Sequence, residues 1–141
     1  MNSDTRHLVQ LYEGMKHDRR VSKVIIINDN RVLMLQKTGT LKWELPGGHA
    51  ESKEKMKKAA CREVREETGI RLTSEQLHKI HTHVDSKYKC NMYVYTSPVK
   101  QKPKLSEEHV DHAWVKASEL DEYSLSPSTN HLAILSALTN G

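Results

Sequence analysis

The segment from Gly48 to Ile70, GHAESKEKMKKAACREVREETGI, constrains this chain more than any other stretch. It follows Pro46 and Gly47 and carries Glu63, Glu66 and Glu67 at spacings of three and four residues, which stack three carboxylates on one face of a helix. Like charges at that spacing destabilise a helix by roughly 0.2–0.5 kcal/mol per pair. Gly69 reads as the helix stop, so the acids also crowd the negative end of the helix dipole. Lys53, Lys55, Lys57 and Lys58 occupy the first turns, where the dipole favours acids instead. The charge order is inverted relative to what an isolated helix prefers. A divalent cation would reverse the argument, because a hard cation takes oxygen ligands from several carboxylates.

The rest of the chain reads as one ordinary domain. Its 141 residues can bury a real core. Charged residues make up 28% and hydrophobic ones 36%, typical of a soluble globular protein. With no Phe, and with two Trp and five Tyr, the core must be filled mainly by Leu, Ile, Val and Met. A net charge of +4 suits anionic substrates but is far from the basic stripe of a nucleic-acid binder. Cys61 and Cys90 stand alone and read as reduced thiols. A polar N-terminus without an apolar h-region, and no apolar run approaching ~20 residues, predict a cytoplasmic protein without a membrane contact.

Along the chain, residues 1–20 form either an arm or a first element around His7–Tyr12, followed by the main domain over 21–141. β-branched residues predict strands over Ser22–Ile27 and Arg31–Gln36, joined by the turn signal Asn28-Asp29-Asn30. Residues 37–42 read as a loop and Trp43–Leu45 as a short extended piece before Pro46. Ser52 is the expected N-cap of a helix ending near Thr68, with Met56, Ala59, Ala60 and Val64 as its apolar stripe. A short turn over Ser74–His78, strands over Lys79–Asp85, Lys89–Ser97 and Val110–Val115, and a turn at Ser118–Leu120 follow. A closing helix is expected over Ser128–Leu138. The order of strands, helix, strands, helix implies a mixed sheet covered by helices.

Gly48, five residues, Glu54, seven residues, Arg62-Glu63-Val64, one residue, Glu66-Glu67, one residue, Gly69-Ile70: this run resembles the Nudix box at every specified position, a match that chance would produce at one start less than about once in a billion trials. Lys42–Gly48, Val32–Gln36 and Trp114–Leu120 are similar to the family's flanking segments, so the resemblance spans roughly 21–138. Lys53 departs from the many members that carry Gly before the Glu. The resemblance implies an α/β fold, the α/β/α Nudix sandwich with a mixed β-sheet between helices. It implies hydrolysis of a pyrophosphate linkage in a nucleoside diphosphate linked to X, with Mg²⁺ or Mn²⁺. Carried over residue by residue, Glu63 and Glu67 are the expected main metal ligands and the Gly48 carbonyl a backbone ligand. Glu66 is either a further ligand or the base. Arg62 is expected to orient the acids and to pair with Glu54. Glu107 or Glu108 is the other candidate base, with Glu108 favoured.

Several residues carry two readings. Trp43 either packs or stacks on a base. His49 either touches phosphate or is a plain loop residue. Tyr88 lies near the offset at which some diadenosine-polyphosphate hydrolases of the family carry Tyr, or is a surface residue among lysines. His78, His81 and His83 read as a strand exposing its histidines more than as a metal cluster. The expected partner is a nucleotide-type small molecule: a dinucleoside polyphosphate or a (deoxy)nucleoside triphosphate, with ADP-ribose or capped RNA as alternatives. The competing class is a non-catalytic nucleotide sensor. A monomer and a homodimer are both compatible with the sequence.

Overall fold

The computed structural model describes residues 19–140, so the arm or element anticipated in 1–20 lies, apart from its last two residues, outside the described residues. Seven strands form one sheet: β1 (Arg20–Asn28), β2 (Arg31–Lys37), β3 (Trp43–Glu44), β4 (Gly47–His49), β5 (His78–Val84), β6 (Lys89–Thr96) and β7 (His109–Lys116). Helix α1 (Met56–Thr68) and helix α2 (His131–Asn140) complete the frame, with short 3₁₀ helices at Ser74–Gln76 and Ala117–Glu122. The main path runs β3-β2-β1-β6-β5, with β4 paired to β1 and β7 to β2. β1 and β6 are parallel and the other pairs antiparallel, so the sheet is mixed.

The central strands read as continuous apolar runs because both of their faces are covered. Along β1, Val24 and Ile26 pack under α1 with Leu33, Leu35, Ala60, Val64 and Tyr93. Ile25 and Ile27 point the other way, into a second core with Met34, Met92, Leu120, Ile134 and Leu138 of α2. Each fully buried aliphatic side chain stabilises this arrangement by roughly 1.5–3 kcal/mol. The turn between β1 and β2 places Asp29 at φ 50° and Asn30 at φ 59°, the left-handed pair that a two-residue hairpin requires and that these residue types tolerate best.

Three local expectations are corrected. Residues 47–49 form a strand rather than a loop, pairing Val21 with His49 and Lys23 with Gly47. Helix α1 begins at Met56 with Lys55 as its N-cap, not at Ser52, because Lys53 turns into the left-handed region at φ 66° and the Glu54 side chain is committed to Arg62. Helix α2 begins at His131 rather than Ser128, capped by Asn130, whose Oδ1 accepts from Ala133 N at 3.0 Å. The Lys53 backbone also gives the family's glycine at this place a physical reason. Lys53→Gly should raise stability by about 0.5–1 kcal/mol, the left-handed penalty of an L-residue less the added freedom of the unfolded chain. Chemical denaturation of both proteins measures it, and a fall in midpoint would contradict this account.

Candidate active site

Two backbone segments and one helix meet at the site. Gly47, at φ 139°, lies so close to β1 that a Cβ would collide with the Ser22 carbonyl oxygen. A Cβ on Gly48 would lie 2.6 Å from Glu63 Cδ and Oε2. Glycine at both places therefore lets a strand backbone lie directly against the carboxylates of α1. From the helix, Glu67 accepts a hydrogen bond from Gly47 N at 2.8 Å through Oε1. It is 3% exposed, so nearly all water is excluded from an acid.

Arg62 ties the cluster together. Its Nε and Nη2 donate to the two oxygens of Glu54 at 2.9 Å each, a bidentate pair. Nη1 donates to Glu63 Oε1 at 3.0 Å and reaches both oxygens of Glu66 at 3.3 Å, while Nη2 also donates to the His49 carbonyl at 2.9 Å. Glu54 in turn accepts from Glu51 N at 2.9 Å. The Glu54–Arg62 brace expected from the sequence is thus in place, and one guanidinium holds loop and helix together.

Charge and burial set the ionisation of the acids. Burial pushes Glu67 up to about 9, against the Gly47 amide and the Lys23 charge that favour its anion, and the nearby Glu108 adds to the rise. Burial likewise raises Glu63 from its ordinary value, with Arg62 opposing and Glu66 and Glu108 adding to it. The Arg62 hydrogen bonds hold Glu54 low. Packing carboxylates so closely that one must hold a proton is what a multivalent cation relieves. The donor set fits a hard divalent ion, since a Glu63 oxygen stands beside Gly48 and a Glu67 oxygen beside the amide of Gly47.

An open cleft of about 730 Å³ lies over these groups. Gly48, His49, Glu63, Glu67, Tyr88 and Glu108 line it, and Lys23, Lys37, Lys87 and Arg19 give it positive walls suited to an anion. Arg62 and Glu66 stand outside that lining, with the Glu66 side chain 52% exposed. Trp43 is also outside it. It packs into the α2-side core with its ring edge-on to Tyr123, centroids 5.0 Å apart. The histidines of β5 do not gather: His83 Nε2 is 2.7 Å from Asp85 Oδ2 instead.

Three lining or adjacent residues escaped the sequence reading. Lys23 is a charged residue inside an apolar strand, 8% exposed, donating to the Leu45 carbonyl at 3.2 Å and lying 3.9 Å from Glu44. Glu44 and His109 meet with Nε2 and Oε2 2.9 Å apart. Burial opposes ionisation of Glu44, yet the His109 hydrogen bond and the charge of Lys23 hold its carboxyl below the usual range. Glu44 is therefore the acceptor and His109 Nε2 carries the proton. Glu44, Glu67 and His109 bring ligand atoms within 4.8 Å of one another. The signal in the sequence was a lone Lys in VSKVIII and a His directly after Glu108.

Comparison with known proteins agrees with this geometry. The NUDIX domain family model matches residues 16–133. The chain is 30% identical over 125 residues to the uncharacterised Nudix hydrolase YvcI of Bacillus subtilis, covering 84% of this chain and 78% of that one. It is 30% identical over 108 residues to the nucleoside triphosphatase NudI of Escherichia coli, covering 68% and 77%. The dihydroneopterin triphosphate pyrophosphohydrolase of E. coli superposes with a TM-score of 0.70 at 27% identity, over 86% of this chain and 96% of that one.

Proposed function

This chain belongs to the Nudix hydrolase family and is a pyrophosphohydrolase, and from that premise we propose that it hydrolyses a nucleoside triphosphate with the help of Mg²⁺ or Mn²⁺. The observation that carries this reading is the convergence of Glu63, Glu67 and Glu108 with the Gly48 backbone in one cation-walled cleft. NudI acts on nucleoside triphosphates by name, and the dihydroneopterin enzyme on another triphosphate, which favours that class over ADP-ribose or capped RNA. A dinucleoside polyphosphate remains the second substrate class, because Tyr88 lines the same cleft.

Glu63, Glu67 and the Gly48 carbonyl would hold the ion, with Glu66 at the rim. A bound divalent ion supplies charge neutralisation of the diphosphate and lowers the pKa of water. Arg62 keeps Glu63 aimed at the cleft while it braces the loop through Glu54 and the His49 carbonyl. Lys23 and Lys37 meet the phosphate oxygens. Glu108 accepts the proton of the attacking water. The new oxygen–phosphorus bond forms as the bridging bond between the α- and β-phosphorus breaks, and the leaving group, pyrophosphate for attack at the α-phosphorus or nucleoside monophosphate for attack at the β-phosphorus, carries away the electron pair. Helices long and apolar enough to cross a membrane are absent among the described residues. Incubation with a nucleotide panel and Mg²⁺, with products identified by mass, tests the proposal. Release of a nucleoside monophosphate and pyrophosphate is expected, and tight binding without product under Mg²⁺ and Mn²⁺ would favour a sensor.

A further inference from the structure

Glu108 stands close enough to Glu63 and Glu67 to raise the proton affinity of both. The Glu108 side chain shares a hydrogen bond with Glu67, which leaves the place of the backbone at residue 108 to be fixed from elsewhere. From one side Thr38 holds it: its Oγ1 donates to the Glu107 carbonyl at 2.8 Å, and its N–H donates to the Glu108 carbonyl at 2.9 Å. On the other side is His109. The β2–β7 ladder pairs Gln36 with Asp111 but Lys37 with His109, so Val110 is an extra residue. Val110 is left 53% exposed while His109 turns inward, to 4% exposure. Bulges of this kind commonly re-aim a side chain beside an active site.

We propose that His109, fixed by Glu44, is a positioning residue that sets where the Glu108 carboxylate stands in the cleft. This rests on the reading of Glu108 as proton acceptor. The link is 2.9 Å long and joins residues 65 apart in sequence. Its far end is anchored because Glu44 pairs with Leu35 in the β2–β3 ladder and is flanked by the Lys23 ammonium. The imidazole buries its Nδ1 with no hydrogen-bond partner among the described residues. An orphaned buried polar atom is costly, and an apolar side chain of similar size would avoid that cost but could not bond Glu44. A base misplaced by even 1 Å loses much of its effect.

A double-mutant cycle with dGTP and Mg²⁺ tests this. His109→Leu fills the space without the hydrogen bond. It should lower kcat by roughly 10–100-fold, the scale of lost orienting partners, with KM little changed. His109→Gln, which can still donate to Glu44, should recover most of the loss. His109→Leu combined with Glu108→Gln should be no slower than Glu108→Gln alone. Independently of substrate, the Thr38 amide should exchange its hydrogen at least several-fold faster in metal-free His109→Leu, because its acceptor is the Glu108 carbonyl. Should His109→Leu fail to fold, Glu44→Gln weakens the same link and must show the same non-additivity with Glu108→Gln. Wild-type kcat in His109→Leu, full additivity in the cycle, or unchanged exchange at Thr38 would each overturn the strut. If Glu108→Gln alone keeps wild-type kcat, the base assignment falls, and the strut with it. If it lowers kcat and His109→Leu adds in full, only the strut falls.

Discussion

Replacing Glu67 with Gln should lower kcat by roughly 10³-fold, about 4 kcal/mol of transition-state stabilisation, and leave the fold intact. The substitution is nearly isosteric, and the Gln oxygen can still accept the Gly47 amide now held at 2.8 Å. What is lost is the negative charge, the one property that a buried carboxylate offers a cation and an amide does not. KM should move much less than kcat, because the positive walls proposed to meet the phosphates are untouched. Steady-state kinetics beside circular dichroism decide it. Turnover within threefold of wild type would rule out a role for this residue in holding the metal.

The same residue should make the metal-free protein lose stability as the solution becomes more basic. Glu67 has an ordinary value of 4.5 and is raised to about 9 in the fold, so the folded state binds the proton more tightly than the unfolded chain. Its contribution is fully present below pH 4.5 and is lost as pH rises toward 9, by up to about 1.4 kcal/mol per pH unit. Across pH 6–9 the melting temperature of the metal-free protein should therefore fall by several degrees per unit. Divalent cations compete with that proton, so their apparent affinity should rise up to tenfold per pH unit over the same window, and saturating Mg²⁺ or Mn²⁺ should flatten the stability profile. Glu67→Gln removes the titrating group and should flatten it without metal. Melting curves that fall in parallel for the two proteins would assign the pH dependence elsewhere.

What could be read from the sequence was what is local. Glu54, Arg62, Glu63, Glu66 and Glu67 lie within fourteen consecutive positions, and helical geometry alone brings four of them to one face. The β-branched residues of β1 and β2 announced strands, and the two cores on either side of them became visible only in the fold. The start of α1 was misplaced because Ser52 looks like a cap, whereas the structure spends Glu54 on Arg62 and bends at Lys53. Glu44 and His109 were invisible for a different reason. Their meeting depends on two ladders, β2–β3 and β2–β7, and on a bulge that no local pattern specifies. Lys23 carried a signal, a cation in an apolar strand, that only the cleft makes intelligible.

β1 also determines where this chain can change length. Alternate residues of the strand serve different layers, so a one-residue insertion before Lys23 would exchange the Ile25 and Ile27 set for the Val24 and Ile26 set and turn Lys23 away from the cleft. Both cores and the phosphate walls would fail together. The stretch between Ser97 and Lys104 is a connection held mostly by local bonds, Ser97 Oγ donating to the Val99 carbonyl at 2.6 Å and Gln101 Nε2 to Ser97 Oγ at 3.4 Å, and it is tied to the helix at Lys104, whose N–H donates to the Thr68 carbonyl at 2.8 Å. Insertions and deletions among descendants of this chain should therefore collect before Lys104, where the outline of the molecule can drift while the reacting groups keep their places.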